Sequence, residues 1–468
     1  MGNDSVVRIA NRQELLDNAS SQNNRMVREI VLDAFEALFD AIDPKKITES
    51  GVKLNNDFLC IEGKKFDLTH YKKIIVVGGG KASGSMAEAL EEILGNYIND
   101  GLIVVPQGTS EKYKTKKIEI FEASHPIPDN NSVRGAKKIL SLIKKANEND
   151  LVICLFSGGG SSLLALPRNS ISLRDKKKVT DMLLRCGATI NEINAVRKHI
   201  SAFKGGQLAK AAYPATVVGL LLSDVLGDPL DVIASGPTVP DSTTFRDAIS
   251  ILKKYEIWEK APTTVKKILM NGEIGLIEEN PKKGSYVFQR VSNIVLGNNR
   301  LACKTTIDAL KKHGLKTLFL TSFMEGEARE FGTMLGAIAR EISVSGNPLP
   351  PPVGIVVGGE TTVTVTGSGK GGRNQEIALS AALRIEGIDD AVIASISTDG
   401  IDGPTNAAGA LVDGETIKRS RQLKLDAIEY LKNNDSYSFF SRVGGLILTG
   451  PTGTNVNDIT IVTVAKCQ

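Results

Sequence analysis

Residues 72–86 read KKIIVVGGGKASGSM, and the fold turns on how they are read. A β-branched run reaches three glycines, then a lysine, then a stretch with helical spacing. That is a buried strand, a tight loop and a helix beginning near Ser83. Glycines between a strand and a helix turn backbone amides toward something negative. Lys81 in that loop is either a cation for an anionic ligand or an ordinary solvated charge. The device returns in LVICLFSGGGSSLL at 151–164 and in VGIVVGGE at 353–360.

Outward from this stretch, GLIVVP (101–106), LVICLF and ATVVGLLLSD (215–224) are further continuous apolar runs, each separated from the next by a helical pattern. Strands of that kind indicate a parallel sheet covered on both faces. The fold class is α/β, with a doubly wound parallel-sheet N-terminal domain and a smaller mixed α/β C-terminal domain. Residues 261–290 are polar and strand-poor, which puts the boundary near 285 and the domains at 1–285 and 286–468. The first opens with an amphipathic helix over 25–40, with Met26, Ile30, Val31, Ala34 and Leu38 on one face, and a short element follows from Asp43-Pro44. The second carries the strands SNIVLG, KTLFLTS, VGIVVGGE, DAVIASIST, GGLILTG and NDITIVTV, with helices at 298–313, 326–342 and 374–385. TTVTVTGSG (361–369) alternates with period two and predicts a half-exposed strand. The cleft between the domains is the expected active site, closing on substrate.

Composition excludes several classes. A net charge of +4 from 57 basic and 53 acidic residues leaves no extended nucleic-acid surface. The runs KYKTKK (112–117) and RDKKK (174–178) read as solvated faces. Five scattered cysteines (Cys60, Cys154, Cys186, Cys303, Cys467) with no CxxC pair point to a reducing cytosol and no zinc site. No apolar run approaches the ~18 residues that span a bilayer. The start, MGNDSVVRIANRQ, has neither an apolar signal core nor a serine or threonine at position 6. A cytoplasmic monomer or homodimer acting on a small molecule is the expectation, with no nucleic-acid or membrane partner.

The loops fail the standard nucleotide motifs. A Walker A loop needs GxxxxGK[ST], but Ala82 follows Lys81 and Ile75 stands at the first glycine position. In a GxGxxG reading Ser83 takes the third glycine's place, and GLIVVPQG ends without the acid that would hold a ribose. FSGGGSSLL supplies Ser157, Gly158, Gly159, Gly160, Ser161 and Ser162, whose amides and hydroxyls suit an anion nest. Gly79 and Gly80 join them at the carboxyl edge of the same sheet. LLLSDVLGDPLDVIASGPTVPD (221–241) ends a buried strand at Asp224, a carboxylate that needs a partner and would find one in a magnesium–phosphate complex. Asp228 and Asp231 read as turn and capping residues.

In the second half, Glu360 ends a strand, and Gly369, Lys370, Gly371, Gly372 and Arg373 lead into a helix. Positive side chains at a helix N-terminus oppose its dipole, so anion binding explains them better than stability does. Thr398 and Asp399 end another strand, and Asp399 with Asp402 are two carboxylates three apart that suit a shared magnesium or a base–ligand pair. His125 in ASHPIPD is a further candidate; no Ser/His/Asp or HExxH pattern is present.

Taken in order, VVGGGKASGSMAEA, SHPIPDNNSVRGAK, LFSGGGSSLL, INAVRKHISAFKGGQLA, LLLSDVLGDPLDVIASGPTVPD, GGETTVTVTGSGKGGRNQE and STDGIDGPTNAAGALVD resemble the two-domain glycerate 2-kinases whose C-terminal part is the MOFRL domain. The resemblance runs from about residue 12 to the end. It implies ATP- and Mg2+-dependent phosphorylation of D-glycerate, usually at the 2-hydroxyl. The family's lysine after the triple glycine falls on Lys81, its arginine in GGRNQE on Arg373 and its aspartate in STDG on Asp399. With that chemistry, the 157–162 and 369–373 loops hold phosphate oxygens and Lys81 or Arg373 bridges phosphate and carboxylate. Asp399 or Asp224 orients the accepting hydroxyl or the magnesium, and Glu360 and Thr398 complete the binding set. Two competing readings are an NAD(P)H-dependent hydroxypyruvate reductase, which lacks its ribose-binding acid here, and a non-catalytic anion-binding protein, which leaves the aspartates at strand ends unexplained.

Overall fold

A computed structural model describes residues 9–465. Cys467 and the first eight residues of the stretch read for targeting signals lie outside them. The chain forms two units, Pro44–Leu296 and the described residues of Met1–Asp43 with Gly297–Gln468.

The first of these units opens with an antiparallel meander, β1 (Val52–Asn55), β2 (Phe58–Ile61) and β3 (Lys64–Asp67). Its main sheet holds β4 (Lys73–Gly79), β5 (Ile98–Pro106), β6 (Ile118–Ala123), β7 (Asp150–Phe156), β8 (Thr216–Leu222) and β9 (Val291–Gly297), in the order β6-β5-β4-β7-β8-β9. Counting only these strands, the order is third, second, first, fourth, fifth, sixth, which is the Rossmann arrangement. The pairings from β6 to β8 are all parallel. Every residue of β7 is buried, and from Leu151 to Phe156 the strand is an unbroken apolar run. The helix Ser83–Leu94 leads from β4 to β5, and Asn130–Ile143 leads back from β6 to β7. Right-handed crossovers in opposite directions put these helices on opposite faces of the sheet. Ile139 and Ile143 of the second pack on Ile75, Val77, Val152 and Phe156.

The other unit holds β10 (Lys316–Met324), β11 (Val353–Gly359), β12 (Ala391–Ser397), β13 (Gly409–Asp413), β14 (Leu446–Ile447) and β15 (Asp458–Val464), in the order β10-β11-β15-β12-β13-β14. Only β10 and β11 run parallel; β15 is antiparallel to both β11 and β12. It is a mixed sheet, and the chain's last strand sits inside it.

Three expectations change. The helix Gln22–Ala41 belongs with the mixed sheet, because Arg28 and Asp413, both fully buried, pair at 2.5 Å. Its apolar face is Val27, Val31, Leu32, Phe35 and Leu38, and Met26 is exposed. SNIVLG is β9, the last strand of the parallel sheet, so that unit runs past residue 285 to Leu296. TTVTVTGSG forms no strand beyond a single bridge from Thr362 to Glu327. Side chains satisfy its backbone instead: Thr364 N donates to Glu327 at 3.0 Å, and Thr366 N and Gly367 N donate to Asn434 Oδ1 at 2.8 and 2.9 Å. Among the described residues no helix is long and apolar enough to cross a membrane.

Candidate active site

In the parallel-sheet unit the chain leaves β4 for one half of the sheet and β7 for the other, so these neighbours flank the switch point where open α/β sheets bind ligands. Both glycine loops open there, and they are built on each other. A Cβ on Gly80 (φ +156°) would lie 2.1 Å from Ser157 Oγ, and one on Gly160 would lie 2.7 Å from the Gly79 carbonyl oxygen. Lys81 N donates to the Gly158 carbonyl at 2.8 Å, and Ala82 N to Ser157 Oγ at 3.0 Å. Gly79, Gly80, Gly160 and the buried Ser157 therefore serve the close approach of two loops rather than facing solvent as nest residues. What remains half-exposed is Lys81, Gly158, Gly159, Ser161 and Ser162.

Two further groups close on this rim. A Cβ on Gly159 would lie 2.9 Å from His125 Nε2 and 3.4 Å from Lys81 Cγ, which places the histidine and the lysine together. Burial, then the charge of Lys81, hold the His125 pKa below its ordinary value. A Cβ on Gly158 would lie 2.3 Å from Asp224 Oδ2, so the carboxylate at the end of β8 lies against the glycine loop. Asp228 takes a left-handed turn conformation, in keeping with its turn reading, whereas Asp231 pairs with Lys198 at 3.0 Å, an ion pair that the turn and capping reading did not include.

The predicted residues of the other unit meet at the carboxyl ends of β11 and β12. Asp458, first residue of β15, stands opposite both Gly359 and Ser397. Arg373 donates to it from Nε at 2.5 Å and Nη2 at 2.8 Å, and Arg373 Nη1 lies 2.9 Å from Glu360. Asn457 Nδ2 holds the other Glu360 oxygen at 2.8 Å. Burial alone would lower the Arg373 pKa, but Asp458 and Glu360 raise it; burial also raises Asp458. Asp399 Oδ1 accepts from Ser397 Oγ at 2.9 Å and from Ile401 N at 3.0 Å, which sets the carboxylate's direction.

Several expectations fail here for a physical reason. Asp402 is buried and accepts from the amides of Asn374 (3.1 Å) and Gln375 (2.9 Å) and from both their side chains. It therefore fills the N-terminus of the helix Arg373–Ile385 and does not pair with Asp399 around a metal. The 369–373 loop is strapped to its own unit: Gly369 N donates to the Asn433 carbonyl and Lys370 N to Asp435 Oδ1, both at 2.9 Å. Cβ atoms on Gly371 and Gly372 would strike Ser436 Oγ at 2.3 Å and Asp402 Cγ at 2.2 Å, so these glycines too are packing glycines. The Lys370 ammonium stacks on Tyr437. Thr398 is buried, and its hydroxyl donates to the Asn457 carbonyl at 2.6 Å and accepts from Val456 N at 2.9 Å. It positions the 452–457 segment.

Asp458 and Asn457 escaped the sequence reading because a short polar lead into a strand carries no signal of its own. Lys176 was assigned to a solvated run, yet it is 4% exposed. Its i, i+3, i+7 spacing with Val179 and Leu183 on the helix Leu173–Arg185 was the available signal. Among the described residues no group of three or more His, Cys, Asp or Glu could hold a metal ion.

A Rossmann-ordered sheet with glycine loops at its switch point and a separate mixed α/β unit rich in paired charge define the two-unit α/β architecture of an enzyme. The chain belongs to the glycerate kinase family. Residues 30–270 match a family model described as a domain of unknown function, DUF4147, and residues 353–458 match the MOFRL family. A glycerate 2-kinase of Pyrococcus horikoshii is 46% identical over 94% of this chain and 98% of its own. The crystal structure of a Thermotoga maritima glycerate kinase superposes with a TM-score of 0.83 and 40% identity, covering 94% of this chain and 99% of that one. A relative from Agrobacterium vitis named as a hydroxypyruvate reductase is 39% identical over 94% of this chain and 95% of its own.

Proposed function

We propose that this protein phosphorylates D-glycerate with ATP, giving 2-phosphoglycerate. The observation that carries the reading is the pair of interlocked glycine loops at the β4–β7 switch point, with Lys81 on their rim and Asp224 against Gly158. Phosphoryl transfer asks a protein mainly for positioning and charge stabilisation. Lys81 supplies a cation beside the half-exposed backbone of Gly158 and Gly159 on the same rim. Asp224 or Asp399 orients the accepting hydroxyl or holds a metal. Arg373 acts through the Glu360 and Asp458 carboxylates it fixes.

Mg2+ in kinases is bound by one or two carboxylates together with substrate phosphates, not by a dedicated protein cage. A single carboxylate lying against a glycine loop that leaves no room for a Cβ fits that pattern. The ion, when bound, neutralises phosphate charge.

The test is one reaction of purified protein with ATP, Mg2+ and D-glycerate, with phosphorus NMR of the product. A 2-phosphoglycerate resonance is expected; 3-phosphoglycerate moves the hydroxyl, and unphosphorylated glycerate overturns the reading. A parallel assay with hydroxypyruvate and NADH should show no loss of nicotinamide absorbance.

A further inference from the structure

Behind the second glycine loop the parallel-sheet unit buries more positive charge than it pairs. Lys176 is 4% exposed and Lys204 fully buried, and Arg197 is half-buried beside them. Arg197 Nη2 donates to Ser161 Oγ at 2.5 Å. Lys204 Nζ donates to Ser161 Oγ and to the Ser161 carbonyl, both at 2.8 Å, and reaches the Ala234 carbonyl at 3.4 Å. Ser161 Oγ already accepts from two cations, so its own proton goes to Ser235 Oγ at 2.9 Å, which donates to Asn194 Oδ1 at 3.2 Å. The Lys176 ammonium has no hydrogen-bond partner. Arg197 and Lys204 are met by a hydroxyl and carbonyls, whereas Lys198, next to Arg197 in sequence, meets Asp231 at 3.0 Å and Asp241 at 3.6 Å.

An unpaired buried ammonium is destabilising, and clustering it with like charges adds to the cost. Folding alone gives no reason to keep this arrangement. Burial, then Arg197 and Arg168, drive the Lys176 pKa well down; burial, then Arg197 and Lys176, do the same to Lys204. An anion seated among them would supply the missing charge and the missing acceptor for Lys176.

We propose that Arg197, Lys176 and Lys204, gathered around Ser161, form a binding seat for one oxyanion, the carboxylate of the acceptor or a phosphate of the nucleotide. The seat opens where Ser161 and Arg197 are half-exposed on the loop rim that also holds Lys81. Arg197 meets the anion first, and Lys176 completes its coordination from behind. The proposal rests on the kinase reading for the identity of the ligand but not for the existence of the seat.

The experiment compares wild type with Lys176→Met and Arg197→Met by calorimetric titration with D-glycerate, with ATP and with inorganic phosphate, alongside thermal unfolding. Removing a repelled cation should leave the melting temperature unchanged or raise it, while binding of one ligand weakens at least tenfold. Loss confined to D-glycerate identifies a carboxylate seat; loss for ATP and phosphate identifies a phosphate seat. Unchanged binding of all three, or a lowered melting temperature in both variants with unchanged binding, overturns the proposal. The two readings fail separately. A wild type that phosphorylates glycerate with variants of equal kcat/KM rejects the seat alone, and anion binding lost in the variants of a wild type without kinase activity rejects the kinase alone.

Discussion

Replacing Arg373 by alanine should unfold more of this protein than a ligand-binding role would imply. The guanidinium makes two bonds to Asp458, a carboxylate with 0% exposure, and one contact to Glu360, which is 42% exposed. Removing Arg373 releases Glu360 toward water at little cost but strands Asp458 in the sheet. Breaking a buried pair from one side costs about 3–5 kcal/mol. At about 2–4 °C per kcal/mol for a unit of this size, Arg373→Ala should lower the melting temperature by roughly 6–20 °C. Adding Asp458→Asn to Arg373→Ala should recover most of the loss, because the stranded group is then neutral. The sign with pH follows from burial, which raises the Asp458 pKa. The folded variant takes up a proton that the unfolded chain releases, so its deficit against wild type shrinks as pH falls and grows as it rises. Differential scanning calorimetry of wild type and the two variants, at pH values between the ordinary carboxylate value of 3.8 and about 7, reads all three effects. A melting temperature for Arg373→Ala within about 2 °C of wild type, less than the shift for 1 kcal/mol, would refute the reasoning, as would no recovery in the double variant.

Lys81→Ala should behave in the opposite way, lowering kcat/KM about 10²–10³-fold with an unchanged melting temperature, and the His125 titration followed by NMR should move up once that charge is gone. Gly80→Ala puts a Cβ 2.8 Å from the Ser157 carbonyl oxygen at a φ of +156°, so it should cost about 1–3 kcal/mol in denaturant unfolding. Asp402→Ala orphans the amides that cap the helix Arg373–Ile385 and should cost about 3 kcal/mol or more; wild-type stability would remove its capping role. Burial opposes ionisation of Glu279, but His199 and the amides of Phe245 and Asn280 outweigh it and hold the pKa at about 2. That depressed carboxylate stabilises the fold above its ordinary pKa of 4.5 and loses the contribution as pH falls toward about 2, so Glu279→Gln should flatten acid unfolding over that window.

The parallel strands were legible because β4, β7 and β8 are buried on both faces and so read as unbroken apolar runs. The glycines that end them were legible too, although most serve loop-on-loop contact, as Gly80 against Ser157 shows. Local spacing also located the helices at Ser83–Leu94, Asn299–Lys312 and Arg373–Ile385. The charges were harder. A carboxylate's role depends on its partner, and Asp402 near a strand end looks the same in sequence whether it holds a metal or caps a helix.

The chain's own pattern therefore determined the α/β class, the order of strands and helices and the loops where chemistry gathers, because these follow from local periodicity and backbone freedom. The tertiary structure alone decided where each charge is neutralised. Arg28 meets Asp413 across 385 residues, Arg373 meets Asp458 across 85, and Lys176 sits buried among cations with no acceptor of its own. Electrostatic pairing acts through space over a few ångströms, so no window of sequence contains it.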